Sequence, residues 1–464
     1  MKKLQSPWTH QIKRSRELSS LNKNHKANVC VVGGGISGVV SAYYILKHTS
    51  HSVILLEAHQ VAHGATGHNA GQLVGELERS VSSIAAEFGL PKTIDLLRSI
   101  DSAWGLLEEI LHEANLDIPY STFMGYNIFT TEKQIVDYLH DLALLHEGAL
   151  HNHKLLVSDA HISDLNIPDK LNSYIETVPH ESILSLGETI NPQYIAAYPL
   201  RKGCLNSALL TEKLVNFLIA TYSSNRFSVY EETPVTNISL HGDSAKVTSN
   251  EYVVECDNVL LCTNGFENFT INDVNSNINM NFHKNLKGNI GYMFARTEKV
   301  GLKPSANAYF EKSYDVSIDP TRDTSRDIVY GSEYVYATRR PYDLSESQLK
   351  NLFCIGGRGL PVEDTSIYNK EHVYQESVLN EYVDFIQKNF SPTELDEDHQ
   401  EFIWHGLMGY TANGLRLVGF EKRNPVLMYN LGCNGIGILP AIWGGLRISD
   451  LLNGEKTESL FDPK

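Results

Sequence analysis

The chain of 464 residues lacks the features that mark several common classes of protein. Its six cysteines include no C-x-x-C pair, so they indicate reduced thiols and a cytoplasmic protein rather than a disulfide framework or a zinc site. No run of Lys and Arg is interleaved with aromatic residues, and the net charge is −16, so we expect no nucleic acid partner. The polar N-terminus lacks the apolar stretch of a signal peptide or membrane anchor, and no G-x-S-x-G motif offers the nucleophile of a hydrolase.

Two other sequence patterns, an apolar stretch and a group of histidines, do not predict a function. Residues 27–46 are apolar enough to be scored as a membrane span, but their four glycines favour a buried strand, a tight turn and a helix, so we expect no transmembrane segment. Four histidines lie close together in residues 140–153. Their spacing places them on different faces of a helix, and no pair of carboxylates completes a metal-binding motif, so we expect no metal. These histidines are His140, His146, His151 and His153.

What the chain does contain is a β-α-β unit close to its N-terminus. Residues 29–32 form a short apolar run typical of a buried parallel strand, and a helix after the glycine turn runs to about Lys47. Residues 52–57 form the next strand. Helices and parallel strands therefore frame the chain, with β-rich segments inserted between them, which predicts an α/β fold.

The turn of this unit has the chemistry of a dinucleotide site. Gly33, Gly35 and Gly38 form G-x-G-x-x-G between a strand and a helix, where bare backbone allows a pyrophosphate to approach the helix N-terminus. Glu57 ends the second strand, where a carboxylate can accept both hydroxyl hydrogens of an adenosine ribose. An NADP phosphate is disfavoured by this acidic residue, whereas NAD and FAD both remain open from this unit alone.

A second motif favours FAD. The stretch GATGHNAGQL (residues 64–73) resembles the second signature of the D-amino-acid-oxidase-like flavoprotein superfamily, in which small residues run beside the flavin. Three later segments also resemble this superfamily in the right order: VLLCTNG (259–265), WHGLMGYTANGLRLVG (404–419) and NLGCNGIGILPAIWGGLRISDLLNG (430–454). Within the superfamily the chain resembles the gamma-glutamylputrescine oxidase and glycine oxidase branches.

The resemblance implies an α/β Rossmann-like FAD-binding domain with an inserted mixed β-sheet (α+β) substrate domain. It places the discontinuous FAD domain at residues 27–112, 190–270 and 396–464, and the substrate domain at 113–189 and 271–395. Residues 1–26 are expected to form a polar N-terminal extension.

The same resemblance implies a set of FAD-binding residues. The turn before the C-terminal helix is expected to aim a helix N-terminus at the flavin pyrimidine. The residues expected at the cofactor are Gly33, Gly35, Ile36, Ser37, Gly38, Glu57, Ala58, Gly64, Ala65, Thr66, Gly67, His68, Asn69, Ala70, Gly71, Gln72, Val235, Thr263, Asn264, Gly265, Gly432, Asn434, Gly435, Ile436, Gly437 and Ile438.

His68 stands where relatives usually carry Arg, and it leaves two alternatives open. The spacing His-x-Ala-Gly also occurs in dimethylglycine and sarcosine dehydrogenases, in which the imidazole is bonded covalently to FAD. The surrounding small residues and Gln72 instead resemble the noncovalent amine oxidases, where an imidazole would only donate a hydrogen bond.

The implied reaction is oxidation of the C–N bond of an amine or amino acid, with oxygen or a quinone as electron acceptor. Arg339 resembles an arginine that pairs with a substrate carboxylate in glycine oxidase, and Tyr336 is expected over the flavin face. Arg339 could equally be a solvated strand end, and an uncharged amine substrate stays open. An assembly or binding factor with little turnover is the alternative function, because the flavin motifs do not separate the two.

Overall fold

The computed structural model describes residues 2–14, 16–150, 153–266, 268–274, 277–298, 303–311, 334–343, 349–362, 364–365, 368–369, 371–392 and 399–463. Its helices are α1 (Pro7–His10), α2 (Ile36–His48), α3 (Val81–Phe88), α4 (Leu90–Glu113), α5 (Glu132–Glu147), α6 (His180–Leu186), α7 (Ser207–Thr221), α8 (Asn277–Asn285), α9 (Glu376–Asn389) and α10 (Ile438–Leu452). Its strands are β1 (Lys2–Lys3), β2 (His25–Val32), β3 (Val53–Leu56), β4 (Gln72–Val74), β5 (Tyr120–Phe129), β6 (Leu155–Ser158), β7 (Ile175–Val178), β8 (Ala196–Leu205), β9 (Phe227–Tyr230), β10 (Asn237–Leu240), β11 (Ala245–Ser249), β12 (Tyr252–Leu261), β13 (Thr270–Asn272), β14 (Leu286–Glu298), β15 (Ser305–Phe310), β16 (Tyr334–Asp343), β17 (Leu349–Val362), β18 (Glu401–Thr411), β19 (Leu417–Phe420) and β20 (Leu427–Leu431).

The smaller sheet contains the predicted β-α-β unit. Within the described residues its order is β13-β10-β11-β12-β2-β3-β9, with β20 beside β12 and β19 beside β20. Strands β9, β3, β2, β12 and β20 are parallel neighbours, so the predicted α/β fold is confirmed. Strand β2 begins earlier than predicted because its first residues, from His25, pair with β12 from Val254 onward.

Both faces of this sheet are buried, which explains the apolar runs in its central strands. Val29 and Val31 pack into one core cluster with residues of α2, α4, α7 and α10. Cys30 and Val32 point the other way, into a second cluster with residues of β10, β11 and β12. Helices therefore cover one face, and the second cluster buries the other.

The larger sheet is mixed, as predicted for the inserted part of the chain. Its order in the described residues is β1-β18-β14-β17-β16-β15-β5-β8-β6-β7, with β4 beside β8. Three of these strands, β4, β8 and β18, fall in ranges that the sequence assigned to the FAD domain. Strand β8 pairs with β5 along its whole length, from Ala196 opposite Phe129 to Leu205 opposite Tyr120, so the chain crosses between the two sheets at these strands.

The N-terminal residues that the sequence treats as a polar extension are packed into the fold. Trp8 is fully buried, and its Nε1 donates to the backbone oxygen of Asn69. Strand β1 pairs in parallel with the start of β18. Arg14 and Arg16 form ion pairs with Glu231, a buried residue after β9. We call residues 2–14 and 16 the N-terminal strap.

Candidate active site

A cavity of about 1070 Å³ is lined by residues of both sheets. From the smaller sheet and its connections come the turn before α2, the loop before β4, the end of β12 and the start of α10. From the larger sheet come residues of β5, β8, β14, β15, β16 and β18. The cavity therefore joins a nucleotide-type turn to a second, sheet-lined compartment.

The glycine turn after β2 is built to expose backbone. Gly33 has φ +110°, and a Cβ there would lie 2.7 Å from the backbone oxygen of Cys262, so a side chain does not fit. A Cβ on Gly38 would lie 2.0 Å from the Gly33 oxygen, which is why this residue packs behind the turn and does not line the cavity. Helix α2 begins after Gly35 with no side-chain cap, and Ile36 N donates to Thr66 Oγ1 at 2.9 Å. Its N-terminus faces the cavity and can receive an anion.

Glu57 lines the same cavity just after β3. Together with the turn before α2, the loop before β4 and the turn before α10 it forms the part of the lining that we call the cradle. Glu57 Oε2 accepts from Gly34 N at 2.7 Å, and its Oε1 accepts from His59 N at 2.9 Å. Burial raises the pKa of the Glu57 carboxyl, although both backbone hydrogen bonds act in the opposite direction. Ala58 and Val235 line the same cavity, as the resemblance implies.

The GATGHNAGQ loop is held in shape by Asn69. Its Nδ2 donates to the backbone oxygens of Ala65 and Thr66, and its Oδ1 accepts from Gly71 N at 2.7 Å. A Cβ on Gly67 would lie 2.4 Å from the Ala62 oxygen, so packing behind the loop also demands small residues. The loop residues that line the cavity are Gly64, Ala65, Thr66, His68, Asn69, Ala70 and Gln72, whereas Gly67 and Gly71 lie behind it.

His68 lines the cavity with a defined hydrogen bond. Its Nδ1 lies 3.0 Å from the backbone oxygen of Gly64, and since a carbonyl only accepts, Nδ1 carries the hydrogen. Strand β18 approaches closely at Gly406, where a Cβ would lie 2.5 Å from the His68 oxygen. The Gly64 oxygen therefore orients the ring, while β18 packs against the backbone of His68.

The C-terminal turn also faces the cavity, as predicted. Helix α10 follows Gly437 without a side-chain cap, and Gly435, Ile436, Gly437 and Ile438 line the cavity. Asn264, a lining residue with φ +53°, holds this turn because its Oδ1 accepts from Cys433 N at 3.0 Å.

Some predicted cofactor residues support the cradle from behind. Asn434 accepts from Thr411 N through its Oδ1 at 2.9 Å, and a Cβ on Gly265 would lie 2.8 Å from the Met408 oxygen. The predicted residues that do not line the cavity are Gly38, Gly67, Gly71, Gly265, Gly432 and Asn434. These residues hold the backbone of the residues that line the cavity.

Sequence reasoning missed Arg416, which lines the cavity beside the start of α2. Its guanidinium donates to Ser37 Oγ and to the Oδ1 and backbone oxygen of Asn430. Arg416 is 4% exposed, and burial lowers its pKa to about 10. No described carboxylate forms an ion pair with it, so the charge of this buried cation lacks a carboxylate partner within the described residues. The only signal in the sequence was a charged residue inside the apolar stretch GLRLVG.

The cradle fits FAD on three counts. It combines an uncapped helix N-terminus with a buried guanidinium, which together suit a diphosphate. It also contains two buried polar atoms, Gln72 Nε2 and Thr263 Oγ1, that have no hydrogen-bond partner among the described residues. Both residues line the cavity, where the polar edge of a flavin would supply partners.

Arg339 does not line the cavity, so its predicted place at a substrate carboxylate is wrong. Its Nε donates to Glu298 at 2.8 Å, its Nη1 pairs with Glu188, and its guanidinium lies over the ring of Phe353. Neither is it a solvated strand end, because its side chain is 11% exposed. Residues along a strand alternate between faces, and Arg339 lies three residues beyond Tyr336, which does line the cavity.

The compartment lined by the larger sheet carries its own polar groups. Glu78 accepts from Tyr334 Oη at 2.8 Å and from Tyr410 Oη at 2.9 Å. Lys202 is buried, and desolvation lowers its pKa to about 8 against the attraction of Glu76. Burial likewise raises the pKa of Glu76. None of these residues belongs to a recognisable motif, so the sequence offered no signal for them.

Neither a metal centre nor a membrane span emerges from the described ranges. No three His, Cys, Asp or Glu side chains converge there as a metal site needs. Of the crowded histidines, His151 lies outside the described residues, and His146 Nε2 contacts the backbone oxygen of His153 at 3.2 Å. No helix among these residues is long and apolar enough to cross a bilayer.

Comparison with known proteins agrees with this cradle. Residues 28–451 match the model of the family described as FAD dependent oxidoreductase (DAO). The chain belongs to this family. It is therefore an oxidoreductase whose cofactor is FAD, and the predicted resemblance is confirmed.

Individual relatives are more distant. Gamma-glutamylputrescine oxidoreductase of Escherichia coli (strain K12) is 34% identical over 102 residues, which cover 22% of this chain and 24% of that protein. A glycine oxidase from Geobacillus kaustophilus has the same fold, with a TM-score of 0.64 at 15% identity over 95% of this chain and 98% of the other. An L-proline dehydrogenase from P. horikoshii has a TM-score of 0.63 at 13% identity over 95% and 97% of the two chains.

Proposed function

We propose that this flavoenzyme oxidises the C–N bond of an amine or amino acid. The observation that carries the proposal is the continuous cavity, which leads from the FAD cradle into a compartment lined by Tyr336, Met293 and Phe310. The names of the relatives support it, because the Escherichia coli protein is a gamma-glutamylputrescine oxidoreductase and the structural neighbours are a glycine oxidase and an L-proline dehydrogenase.

Bound FAD supplies the acceptor for a hydride from the carbon next to nitrogen, after which water hydrolyses the released imine. The chain itself binds and orients the substrate. Tyr336 is held by a contact of its Oη with Met293 Sδ at 3.2 Å, and burial raises its pKa well above the usual value, so it stays a neutral phenol. We propose that its ring packs over the flavin and that the compartment excludes water around the reacting bond.

The electron acceptor and the location belong to the same proposal. Either oxygen or a quinone reoxidises the flavin. All six cysteines are free and five are buried, which supports a reducing compartment, and we propose the cytoplasm.

The test is anaerobic reduction of the purified holoenzyme by a panel of alkylamines and of D- and L-amino acids. Bleaching of the flavin by at least one member is expected. Reoxidation of the bleached enzyme by air, compared with a soluble quinone, then separates an oxidase from a dehydrogenase. A holoenzyme that no member bleaches would contradict the proposal and favour a binding or assembly role.

A further inference from the structure

Arg340 is a buried cation on the face of β16 that turns toward the cavity. Tyr334 and Tyr336 line the cavity from this strand. Since side chains two positions apart on a strand point to the same face, Arg340 shares their face, whereas Arg339 lies on the opposite one. Arg340 is 1% exposed and does not itself line the cavity. It packs against the far side of the GATGHNAGQ loop, where a Cβ on Gly71 would lie 2.9 Å from Arg340 Nη1.

This guanidinium has no anionic partner among the described residues. Its Nε and Nη1 lack a hydrogen-bond partner there, and no described carboxylate forms an ion pair with it. The titratable groups that act on it are Cys204, Cys354 and Tyr342, and burial raises the pKa of each, so all three are neutral. The Trp8 ring, 4.6 Å from Arg340 Cζ, offers a cation–π contact, which is weaker than an ion pair.

Arg340 therefore keeps a charge that the protein does not balance. Burial lowers its pKa, but an arginine side chain stays protonated inside a protein. A buried charge without a partner is unfavourable by itself, so an anion nearby would be stabilised in return. Arg416 is the other buried cation near the cradle, and it lies at the start of α2, where it suits the diphosphate.

The part of the loop beside Arg340 is the end that reaches the larger sheet. Near the start of the loop, Thr66 Oγ1 accepts from the first backbone N–H of α2 at 2.9 Å. The loop ends at Gln72, where β4 pairs with β8. Ala70 and Gln72, on either side of Gly71, line the cavity. The charge of Arg340 thus lies one backbone away from the cavity, at the far end of the loop from the helix N-terminus.

Reduction of FAD creates the negative charge that this position lacks. A hydride brings two electrons and one proton, so the flavin ring gains one negative charge, while the donor loses the hydride and gains one positive charge. The oxidised ring is neutral. A fixed cation near the ring therefore stabilises the reduced cofactor more than the oxidised one.

We infer that Arg340 stabilises the negative charge that FAD acquires on reduction, and that it thereby raises the reduction potential of the bound cofactor. It acts through its charge from behind the loop, without touching the substrate. The inference goes beyond the proposed C–N oxidation and does not depend on which compound donates the hydride.

The experiment measures the midpoint potential of the holoenzyme by reduction with dithionite in the presence of a reference dye, with no amine present. Arg340→Met keeps much of the volume and removes the charge. The equilibrium between cofactor and dye should shift toward oxidised FAD by about tenfold, as for a unit charge about 10 Å away at the effective dielectric of a protein, which is about 30 mV for a two-electron couple. Arg340→Lys retains the charge, so it should keep most of the wild-type potential.

Arg98→Met is the matched control, since it makes the same change in net charge at an exposed residue of α4 and should leave the potential unchanged. An Arg340→Met enzyme with the wild-type potential would overturn the inference, because the charge would then not reach the ring. An Arg340→Lys enzyme shifted as far as Arg340→Met would also overturn it, because packing rather than charge would then set the potential. Neither result bears on C–N oxidation, which bleaching by amines and amino acids tests separately.

If neither variant retains FAD, the wild-type protein decides the question. The slope of its midpoint potential between about pH 6 and pH 8 counts the protons that are taken up on reduction. One proton for two electrons is expected, because the reduced ring then keeps its negative charge. Uptake of two protons would mean a neutral reduced ring and would refute the inference.

Discussion

Arg416 is a buried cation whose counter-charge we expect to be the FAD diphosphate. Replacing it by Met keeps much of the volume and removes the charge, so FAD binding should weaken by about 2 to 5 kcal/mol. The apoprotein should unfold at the same or a higher temperature, because a buried charge without a described carboxylate partner is unfavourable on its own. FAD titration and thermal unfolding of the apoprotein measure the two effects.

Arg423→Met is the control for Arg416→Met, since Arg423 is an exposed residue just after β19. It should leave FAD affinity unchanged. An Arg416→Met protein that retains FAD like the wild type would exclude contact between the guanidinium and the cofactor.

His405 makes stability depend on pH. Its Nε2 donates to the backbone oxygen of His372 at 2.7 Å, its Nδ1 accepts from Tyr368 Oη at 3.0 Å, and burial lowers its pKa to about 4. Between about pH 6.5 and 4 the unfolded chain binds a proton that the folded chain excludes, so the free energy of unfolding falls as the pH falls. Its share is at most about 3 kcal/mol. His405→Gln removes this titration and should be less sensitive to acid, as urea unfolding at several pH values would measure. Parallel curves for the two proteins would contradict the assignment.

His68 decides how the flavin is attached. The loop around His68 resembles that of the noncovalent enzymes, so we expect a hydrogen-bonding contact with the flavin rather than a bond to FAD, with the ring oriented by the contact of Nδ1 with the Gly64 oxygen. After acid precipitation the flavin should remain in the supernatant. A yellow pellet that becomes colourless in His68→Ala would instead establish a covalent histidyl flavin.

At the scale of elements, the N-terminal strap supports the cofactor loop from behind. Trp8 donates to the Asn69 oxygen, and its ring would contact a Cβ on Gly71 at 3.0 Å. Trp8→Ala should cost about 3 to 5 kcal/mol of unfolding free energy through the cavity that it leaves. Trp8→Phe keeps an aromatic ring but removes the Nε1 donor, so it should retain most of the stability and still bind FAD more weakly. Urea unfolding and FAD titration distinguish the two, and equal FAD affinity in Trp8→Phe and wild type would show that the strap does not position the loop.

The elements also show which parts of the site a sequence can predict. The turn before α2 and the loop before β4 were predictable because a cofactor that lies against backbone demands small residues in fixed order. Arg339 was misplaced because the face of a strand residue depends on pairing register, which a local pattern does not contain. Glu78 and Arg416 were missed because neither belongs to a local motif. Their place in the cavity depends on contacts between segments that lie far apart in the sequence.

At the scale of the whole molecule, the fold class was predictable and the division into domains was less so. The apolar runs of β2 and β3 and the helical segment between them specify a parallel sheet from local sequence alone. Strands β4, β8 and β18 look like continuations of the FAD domain but pair in the larger sheet, since their hydrogen bonds are set by neighbours far away in the chain. The cavity lies where these crossing strands bring both sheets together.

The strap also constrains the order in which the protein can assemble during synthesis. Strand β1 needs the backbone of Glu401 and Phe402, and Arg14 and Arg16 need Glu231, so the strap must wait for partners that the ribosome makes later. Until the strap has packed, Trp8 is not held against the Asn69 oxygen, and the GATGHNAGQ loop lacks this support. A chain truncated before β18 also lacks Arg416 and the turn before α10, so it should have little affinity for FAD, and we expect the cofactor to bind only after these segments have been made.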